Sequence, residues 1–262
     1  MVDRHPSRRF ADLTGPQVME RLTSRSIVIQ PLGAVEQHGP HLPLSTDLVI
    51  AQTAAEAVVD AAGDGLDLWL LPPLAYTKSN EHAWSAGTVW LSATTMLAVL
   101  DDLGRCLAGT PARKVVFLNG HGGNSALVAM ANREVRLAHG LMTFLVHPFV
   151  PADQGGASPP EELGMGIHGG ADETAVMLHL RPDLVDMSRA ARNVPEWLTA
   201  FDRVRFGGSV PFGWLSSDFG PSGVIGDPTL ATPELGRRLF EAGVASVLAA
   251  LTEIDRFELP LE

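Results

Sequence analysis

The segment SIVIQPL at residues 26–32, followed by GAVEQHGPHLPLSTD at residues 33–47, decides the fold of this 262-residue chain. The first part is an apolar, β-branched run, which is typical of a strand buried on both faces. The second part is polar and rich in Gly and Pro, so it predicts a loop, and a helix follows over residues 48–62. We therefore predict a strand–loop–helix unit, which is the building block of a parallel α/β sheet.

The same alternation continues along the chain. Further strands are predicted at residues 66–71, 88–91, 114–118 and 142–147, and further helices at residues 17–22, 94–108, 125–139, 172–180 and 233–254. Residues 150–170 and 189–230 are rich in Pro and Gly and are predicted to form long loops. Because no segment has the composition of a linker, we expect residues 1–262 to form one α/β domain, with a mostly parallel sheet covered on both faces.

Composition excludes several classes of protein. The chain has 19 Lys+Arg and 30 Asp+Glu, and this net charge of −11 disfavours binding to nucleic acid or to an anionic membrane. The sequence has no apolar run of 18 residues, and its first residues lack the apolar core of a signal peptide, so we expect a cytoplasmic protein. The single cysteine, Cys106, excludes a disulfide framework, and we expect it to pack in the core.

Ligand-type residues cluster in two loops that follow predicted strands. Glu36 and His38 are two residues apart in an extended segment, so their side chains face the same side. Asp47 lies at the start of the next helix, and His121 lies in the loop NGHGGN after the strand at residues 114–118. Carboxylates with imidazoles suit Zn²⁺, Mn²⁺ or Fe²⁺, although polar surface residues would give the same pattern. An aspartate shared by two metals would place them about 3.5–4 Å apart.

A third motif, IHGGADET at residues 167–174, lies at the start of a predicted helix. His168 is predicted to act as a general acid/base or as an oxyanion donor. Glu173 is either a metal ligand or base that faces the same cleft, or a carboxylate that the helix dipole favours in the first turn. His41 and His82 are expected near this cleft.

Two other patterns suggest different chemistry. The glycines at 164, 166 and 169 match the dinucleotide-binding pattern, but no strand precedes them. A serine hydrolase would need the motif G-x-S-x-G, which the sequence lacks. Trp84 and Trp214 lie in Gly/Ser-rich loops, where they either form the wall of a pocket or simply pack.

The segments GAVEQHGPHLPLSTD, NGHGGNSA and HGGADETA together resemble the creatininase (creatinine amidohydrolase) family. The resemblance extends over about residues 26–251. It implies a three-layer α/β/α fold, a binuclear divalent-metal hydrolase site with zinc, manganese or iron, and a homo-oligomer, often a hexamer built as a trimer of dimers.

The resemblance also implies roles for individual residues. The matching positions are Glu36, Asp47 and His121 for one metal, and His38 and Asp47 for the other. His168 matches the histidine that assists proton transfer. Creatininase has a glutamate at the position of Gly123 as a ligand of the second metal, so here either Glu173 replaces it or a single metal ion suffices.

The substrate is expected to differ from creatinine. Gly122 and either Met165 or Gly164 stand where creatininase has a tyrosine and a tryptophan around its small cyclic substrate. We therefore predict an enzyme that cleaves a C–N amide bond in a cyclic amide, a formamide or a small peptide-like molecule, using a metal-activated water. The alternatives are a hydrolase that opens a cyclic sugar-derived ketone, an inactive member that serves as a binding subunit, and a nucleotide-binding oxidoreductase.

Overall fold

The structure, a computed structural model, describes residues 7–260. The α-helices are α1 (Gly15–Arg21), α2 (Thr46–Ala62), α3 (Ala93–Ala108), α4 (Ser125–His139), α5 (Ala171–Leu180) and α6 (Pro233–Arg256). The strands are β1 (Ile27–Leu32), β2 (Leu68–Leu70), β3 (Lys114–Asn119) and β4 (Met142–Val146). Within residues 7–260, no helix is both long and apolar enough to cross a membrane.

The four strands form one parallel sheet in the order β2-β1-β3-β4. β1 pairs with β3 from Ile27 opposite Lys114 to Leu32 opposite Asn119, so the two central strands end level at one edge. Helices α3 and α4 pack on one face, and α2 and α6 pack on the other. The fold is therefore a three-layer α/β/α sandwich with a parallel sheet, as the sequence predicts.

Successive side chains of the central strands enter opposite cores. Val28 and Phe117 pack against α3 and α4, whereas Ile29 and Val116 pack against α2 and α6. Because side chains alternate across a strand, a sheet covered on both faces needs a continuous apolar run, which is what SIVIQPL provides. Burying each such side chain stabilises the fold by about 1.5–3 kcal/mol.

Two local predictions are wrong. Residues 88–91 form no strand, because Val89 makes only an isolated antiparallel bridge with Val35. Cys106 is exposed on α3, and the neighbouring Leu107 is the residue that enters the core. The apolar pattern around Cys106 therefore predicts the helix correctly, but it assigns Cys106 to the buried face when it lies on the exposed one.

The glycine pattern at residues 164–169 surrounds a buried carboxylate. Glu162 accepts hydrogen bonds from the backbone N–H groups of Ala171 (2.9 Å) and Asp227 (2.6 Å). A Cβ atom at Gly166 would collide with Glu162 Oε2, so glycine at that position makes room for the carboxylate. Glu162 thus anchors the start of α5, and this gives Gly166 a structural role that needs no nucleotide.

Candidate active site

The carboxyl ends of β1, β2 and β3 meet at one edge of the sheet, and the first turn of α2 enters between the loops that leave there. Two glycines allow this close approach. A Cβ atom at Gly33 would lie 2.5 Å from Leu48 Cα, and one at Gly120 would lie 3.0 Å from the carbonyl oxygen of Asp47. Glycine directly after β1 and β3 therefore lets α2 bring the Asp47 side chain to the sheet edge.

All six residues predicted for the site come together at this edge. They are Glu36 and His38 after β1, Asp47 in α2, His121 after β3, His168 just before α5 and Glu173 in α5. The first five are no more than 5% exposed, and Glu173 is half-buried. Ionisable groups are rarely buried so deeply unless they are paired or bind a metal ion.

Asp47 lies between two histidines that come from different loops. Its Oδ1 is 3.1 Å from His38 Nε2, and its Oδ2 is 3.0 Å from His121 Nδ1. Glu36 completes the group, with Oε2 3.4 Å from His121 Nε2 and Oε1 3.9 Å from His38 Nε2. A single carboxylate thus faces both suggested metal positions, which is the arrangement that a bridging ligand requires.

The donor set fits a divalent cation. His38 Nδ1 is 3.2 Å from the carbonyl of Glu36, and His121 Nε2 is 3.0 Å from the carbonyl of Lys78, so each neutral ring carries its proton on that outer nitrogen. The inner nitrogens then direct lone pairs at Asp47. Among residues 7–260, no group donates a hydrogen bond to the buried oxygens Glu36 Oε1 and Asp47 Oδ2. Converging lone pairs of this kind are stabilised by a shared metal ion.

Three overlapping sets of three residues could each hold a metal ion, because the ligand atoms within each set lie within 4.8 Å of one another. The sets are Glu36, Asp47 and His121; His38, Asp47 and Glu173; and Glu36, His38 and His168. The first two sets correspond to the two metal shells that the sequence suggests, with Glu173 as the third residue of the second set. The third set brings His168 within coordinating distance as well.

Protons occupy this cluster when no metal does. Burial opposes a charge on His38, but the Asp47 carboxylate outweighs it and raises the pKa of His38 to about 10. Burial raises the pKa of Glu36 to about 8 and that of Glu173 to about 7. Because ligands must lose their protons to bind, a metal ion competes with protons throughout this site.

His168 presents a proton-accepting nitrogen to the site. Its Nε2 donates a hydrogen bond to the carbonyl of Gln37 at 2.6 Å, and its Nδ1 lies 3.7 Å from Glu36 Oε1. Burial and the neighbouring His82 lower the pKa of His168 well below its ordinary value, so the ring is neutral. This geometry favours the role of proton acceptor over that of oxyanion donor.

The space beside Gly123 is filled by Glu81, which sequence reasoning does not single out. A Cβ atom at Gly123 would collide with Glu81 Oε1 and lie 2.5 Å from His121 Nε2. Glu81 Oε1 is 3.5 Å from His121 Nε2, and its Oε2 accepts a hydrogen bond from Lys78 Nζ at 2.6 Å. Although burial opposes ionisation, His121 and Lys78 lower the pKa of Glu81 to about 2. A carboxylate is therefore retained beside His121, supplied by a different loop.

His82 lies at the centre of the cluster rather than at its border. Its ring stacks on His168 with centroids 4.1 Å apart, and its Nε2 is 3.3 Å from Glu36 Oε1. Burial and the nearby His121 lower the pKa of His82 to about 2. The sequence signal for Glu81 and His82 is positional: β2 is parallel to β1, so the loop after β2 must reach the same edge of the sheet. His41, in contrast, bonds through Nε2 to Thr174 Oγ1 (3.0 Å).

A cavity of about 390 Å³ opens in front of this cluster. Phe212 and Trp214 from the long loop at residues 189–230 form part of its wall, which is one of the two alternatives that the sequence leaves open for Trp214. Trp84 does not line the cavity but donates a hydrogen bond to Ser216 Oγ at 2.6 Å. Met165 is buried among apolar side chains away from the cavity. The aromatic part of the wall thus comes from a region other than the positions where creatininase was expected to carry its rings.

Comparisons with known proteins identify the family of this chain. The family model described as Creatininase: Creatinine amidohydrolase matches residues 11–251. A mycofactocin precursor peptide peptidase from Mycobacterium tuberculosis (strain CDC 1551 / Oshkosh) is 39% identical over 230 residues, which cover 85% of this chain and 82% of that protein. A creatinine amidohydrolase from Pseudomonas putida is 32% identical over 209 residues, covering 73% of this chain and 78% of that protein.

The fold comparison gives the same result. The solved structure described as "Creatininase Mn" superposes with a TM-score of 0.74 at 24% identity, covering 96% of this chain and 100% of that one. Agreement at this level shows that the two chains share a fold. Because the family model spans nearly the whole sequence, this chain belongs to the creatininase family of hydrolases.

Proposed function

We propose that the chain is a divalent-metal-dependent amidohydrolase that cleaves a C–N amide bond in a peptide-like substrate. The proposed ligands are Glu36, His38, Asp47, His121 and Glu173. The observation that carries the proposal is the Asp47 carboxylate, which faces imidazole lone pairs at 3.1 Å and 3.0 Å on its two sides. A divalent metal such as zinc, manganese or iron, when bound there, lowers the pKa of a coordinated water and polarises the amide carbonyl.

The proton is moved by His168 and Glu173, both of which line the cavity. His168 accepts a proton at Nδ1, because its Nε2 is already committed to the Gln37 carbonyl. Glu173 is oriented by the backbone N–H of Gly169, which donates to its Oε2 at 2.6 Å. When Glu173 is not bound to a metal ion, burial raises its pKa to about 7, so it can either hold or release a proton near neutral pH. Together the two residues can deliver a proton to the leaving nitrogen.

A peptide-like substrate is supported by the shape of the cavity and by the relatives. Gly122 adds no side chain to the cavity of about 390 Å³, which leaves room for a substrate longer than creatinine. The relative at 39% identity is named a mycofactocin precursor peptide peptidase. We therefore expect an amide within a short peptide to be cleaved faster than creatinine.

The experiment is a substrate panel assayed with wild-type enzyme and with Asp47→Asn. The panel contains short peptides, a formamide, creatinine and a cyclic sugar-derived ketone. We expect peptide cleavage that is lost with a chelator and restored by added Zn²⁺, Mn²⁺ or Fe²⁺, and at least one equivalent of bound metal in wild type by elemental analysis. Peptide cleavage that survives metal removal would contradict the metal proposal, and preferred opening of the ketone would contradict the amide proposal.

We also propose a homo-oligomer, with a hexamer as the expected form. Large apolar side chains, among them Val89 (47% exposed) and Trp90 (43% exposed), are left in contact with solvent in the single chain. Light scattering coupled to size exclusion should give a multiple of the 27.9 kDa chain mass, whereas a monomeric mass would refute the proposal. The net charge of −11 disfavours nucleic acid and anionic membranes as partners.

A further inference from the structure

Gln37 separates the two proposed ligands Glu36 and His38 in sequence, but its side chain is hydrogen-bonded to other residues. It is 4% exposed and enters a pocket between His82, His168 and the loop that carries Ser216. The chain is built around this side chain, because a Cβ atom at Gly223, which has a φ of +68°, would collide with the Gln37 amide nitrogen.

The orientation of the Gln37 amide is fixed by the backbone. The N–H of Gly39 donates to Gln37 Oε1 at 2.9 Å, so the –NH₂ group faces the opposite way. Its nitrogen lies 2.9 Å from His82 Nδ1, 3.1 Å from His168 Nε2 and 3.3 Å from Ser216 Oγ. Because His168 Nε2 carries the proton that it donates to the Gln37 carbonyl, it cannot accept from the amide. Ser216 Oγ in turn donates to the carbonyl of Glu81 at 3.2 Å, so it is free to accept from the amide. The two amide protons are therefore directed at His82 and at Ser216.

This arrangement decides where His82 carries its proton. Because His82 Nδ1 accepts from Gln37, the ring proton must be on Nε2. That nitrogen lies 3.3 Å from Glu36 Oε1, a buried oxygen that has no hydrogen-bond partner among residues 7–260. His82 is thus placed to orient the carboxylate of a proposed metal ligand, as groups one step outside a metal shell commonly do.

The tautomer of His168 is set by a different part of Gln37. His168 Nε2 donates to the backbone carbonyl of Gln37 at 2.6 Å, and this contact does not depend on the side chain. Substitution of Gln37 should therefore change the protonation pattern of His82 and leave that of His168 unaltered. The two stacked rings provide a test and an internal control within one molecule.

We propose that Gln37 is a positioning residue whose side-chain amide holds His82 in its Nε2–H tautomer, so that His82 orients the Glu36 carboxylate for metal binding and catalysis. The catalytic part of this proposal rests on the proposed function, whereas the tautomer part does not. In this proposal the side-chain amide of Gln37 acts through His82 and not on the substrate.

The test compares the zinc-loaded wild type with Gln37→Met and Gln37→Glu. Methionine has a similar length but offers no amide proton, and glutamate keeps the Gly39 contact while turning the donor into an acceptor. Long-range ¹H–¹⁵N spectra distinguish protonated from unprotonated ring nitrogens, with His82→Gln and His168→Gln used to assign the signals. The matched control is Gln30→Met, which removes another buried glutamine whose amide donates only to the carbonyls of Pro31 and Pro72.

We expect Nε2–H for both histidines in the wild type. In Gln37→Glu the His82 proton should move to Nδ1, in Gln37→Met both tautomers should appear, and His168 should stay unchanged in each. Zinc affinity or kcat should fall about 10–100-fold in both variants with KM changed less than about twofold, while Gln30→Met keeps both values. A His82 that keeps Nε2–H in Gln37→Glu would overturn the proposal, as would unchanged zinc affinity and kcat. If the tautomers shift and zinc affinity falls but no amide is cleaved even by wild type, the positioning role stands and the proposed function fails.

Discussion

Two regions of this molecule bury a carboxyl group, and the groups that surround it differ between them. Glu162 is 1% exposed and accepts three hydrogen bonds, two from backbone N–H groups and one from Ser158 Oγ at 2.9 Å. Asp47 is equally buried, yet its neighbours are the inner nitrogens of His38 and His121, and its Oδ2 receives no hydrogen bond from any described residue.

The difference separates a structural carboxylate from a functional one. Around Glu162 the protein supplies hydrogen-bond donors and glycine backbone, so both oxygens of the carboxyl group are satisfied by the fold itself. Around Asp47 the protein supplies further lone pairs, which disfavour each other until a proton or a metal ion is shared among them. Removing Glu162 should therefore damage folding, whereas removing Asp47 should damage metal binding.

The largest effect is expected for Asp47→Asn. Loss of the bridging charge should reduce bound metal below one equivalent and lower kcat/KM by about 10³-fold or more, since metal catalysis supplies several kcal/mol. Elemental analysis and steady-state kinetics measure the two effects, and circular dichroism should show an intact fold. A variant that retains full metal content and activity would place the metal elsewhere.

The reverse result is expected for Glu162→Ala. Two backbone N–H groups would be buried without an acceptor, at a cost of about 1–3 kcal/mol each, so the free energy of unfolding should fall by about 3 kcal/mol. Urea denaturation of the metal-free protein measures this change. The matched control is Glu161→Ala, which removes the adjacent glutamate; Glu161 is exposed, whereas Glu162 is buried. Equal free energies of unfolding for the two variants would show that Glu162 does not stabilise the fold.

The sequence predicts the residues around Asp47 better than those around Glu162. The strand β1 and the residues Glu36, His38 and Asp47 follow from an apolar run and from spacing along one loop, which are local properties. Glu162 lies in a loop, and its partners Ala171 and Asp227 are 9 and 65 residues away, so no local pattern reveals them.

The role of the loop after β2 was also hidden by distance in sequence. Glu81 reaches His121 from 40 residues away, and whether a carboxylate stands beside that histidine depends on strand order, which puts β2 next to β1. Gly123 looks like a lost ligand in the sequence, whereas in the structure it is the space that Glu81 occupies. Spacing along the sequence identifies ligands that lie in the same loop. It does not reveal that a carboxylate missing from one loop is supplied by another.

A smaller effect is expected for Gly123→Ala. The added methyl group would collide with Glu81 Oε1 and crowd His121 Nε2, so the Glu81 carboxylate must move and metal affinity should fall about 10–100-fold. Isothermal titration with Zn²⁺ measures the affinity. In the control Gly122→Ala the new Cβ atom would meet nothing closer than Pro151 Cγ at 3.6 Å, so its affinity should equal that of the wild type. Equal affinity in both variants would show that Glu81 does not support the metal site.

The smallest effect is the pH dependence of the metal-free protein. The folded pKa of His38, about 10, lies above its ordinary 6.5, so its contribution is fully present below pH 6.5 and is lost as the pH rises through 10. Glu36, with a pKa raised to about 8, acts in the same direction because the folded state keeps a proton that the unfolded chain releases. Asp47, whose pKa is lowered, is ionised in both the folded and the unfolded state above pH 7, so it adds no pH dependence to the stability in this range.

In the presence of a chelator, Tm should fall by a few degrees between pH 7 and 10, since 1 kcal/mol corresponds to about 2–4 °C at this size. Differential scanning calorimetry measures the slope, which His38→Gln should flatten. A Tm that rises over this range would mean that the cluster does not hold protons in place of the metal.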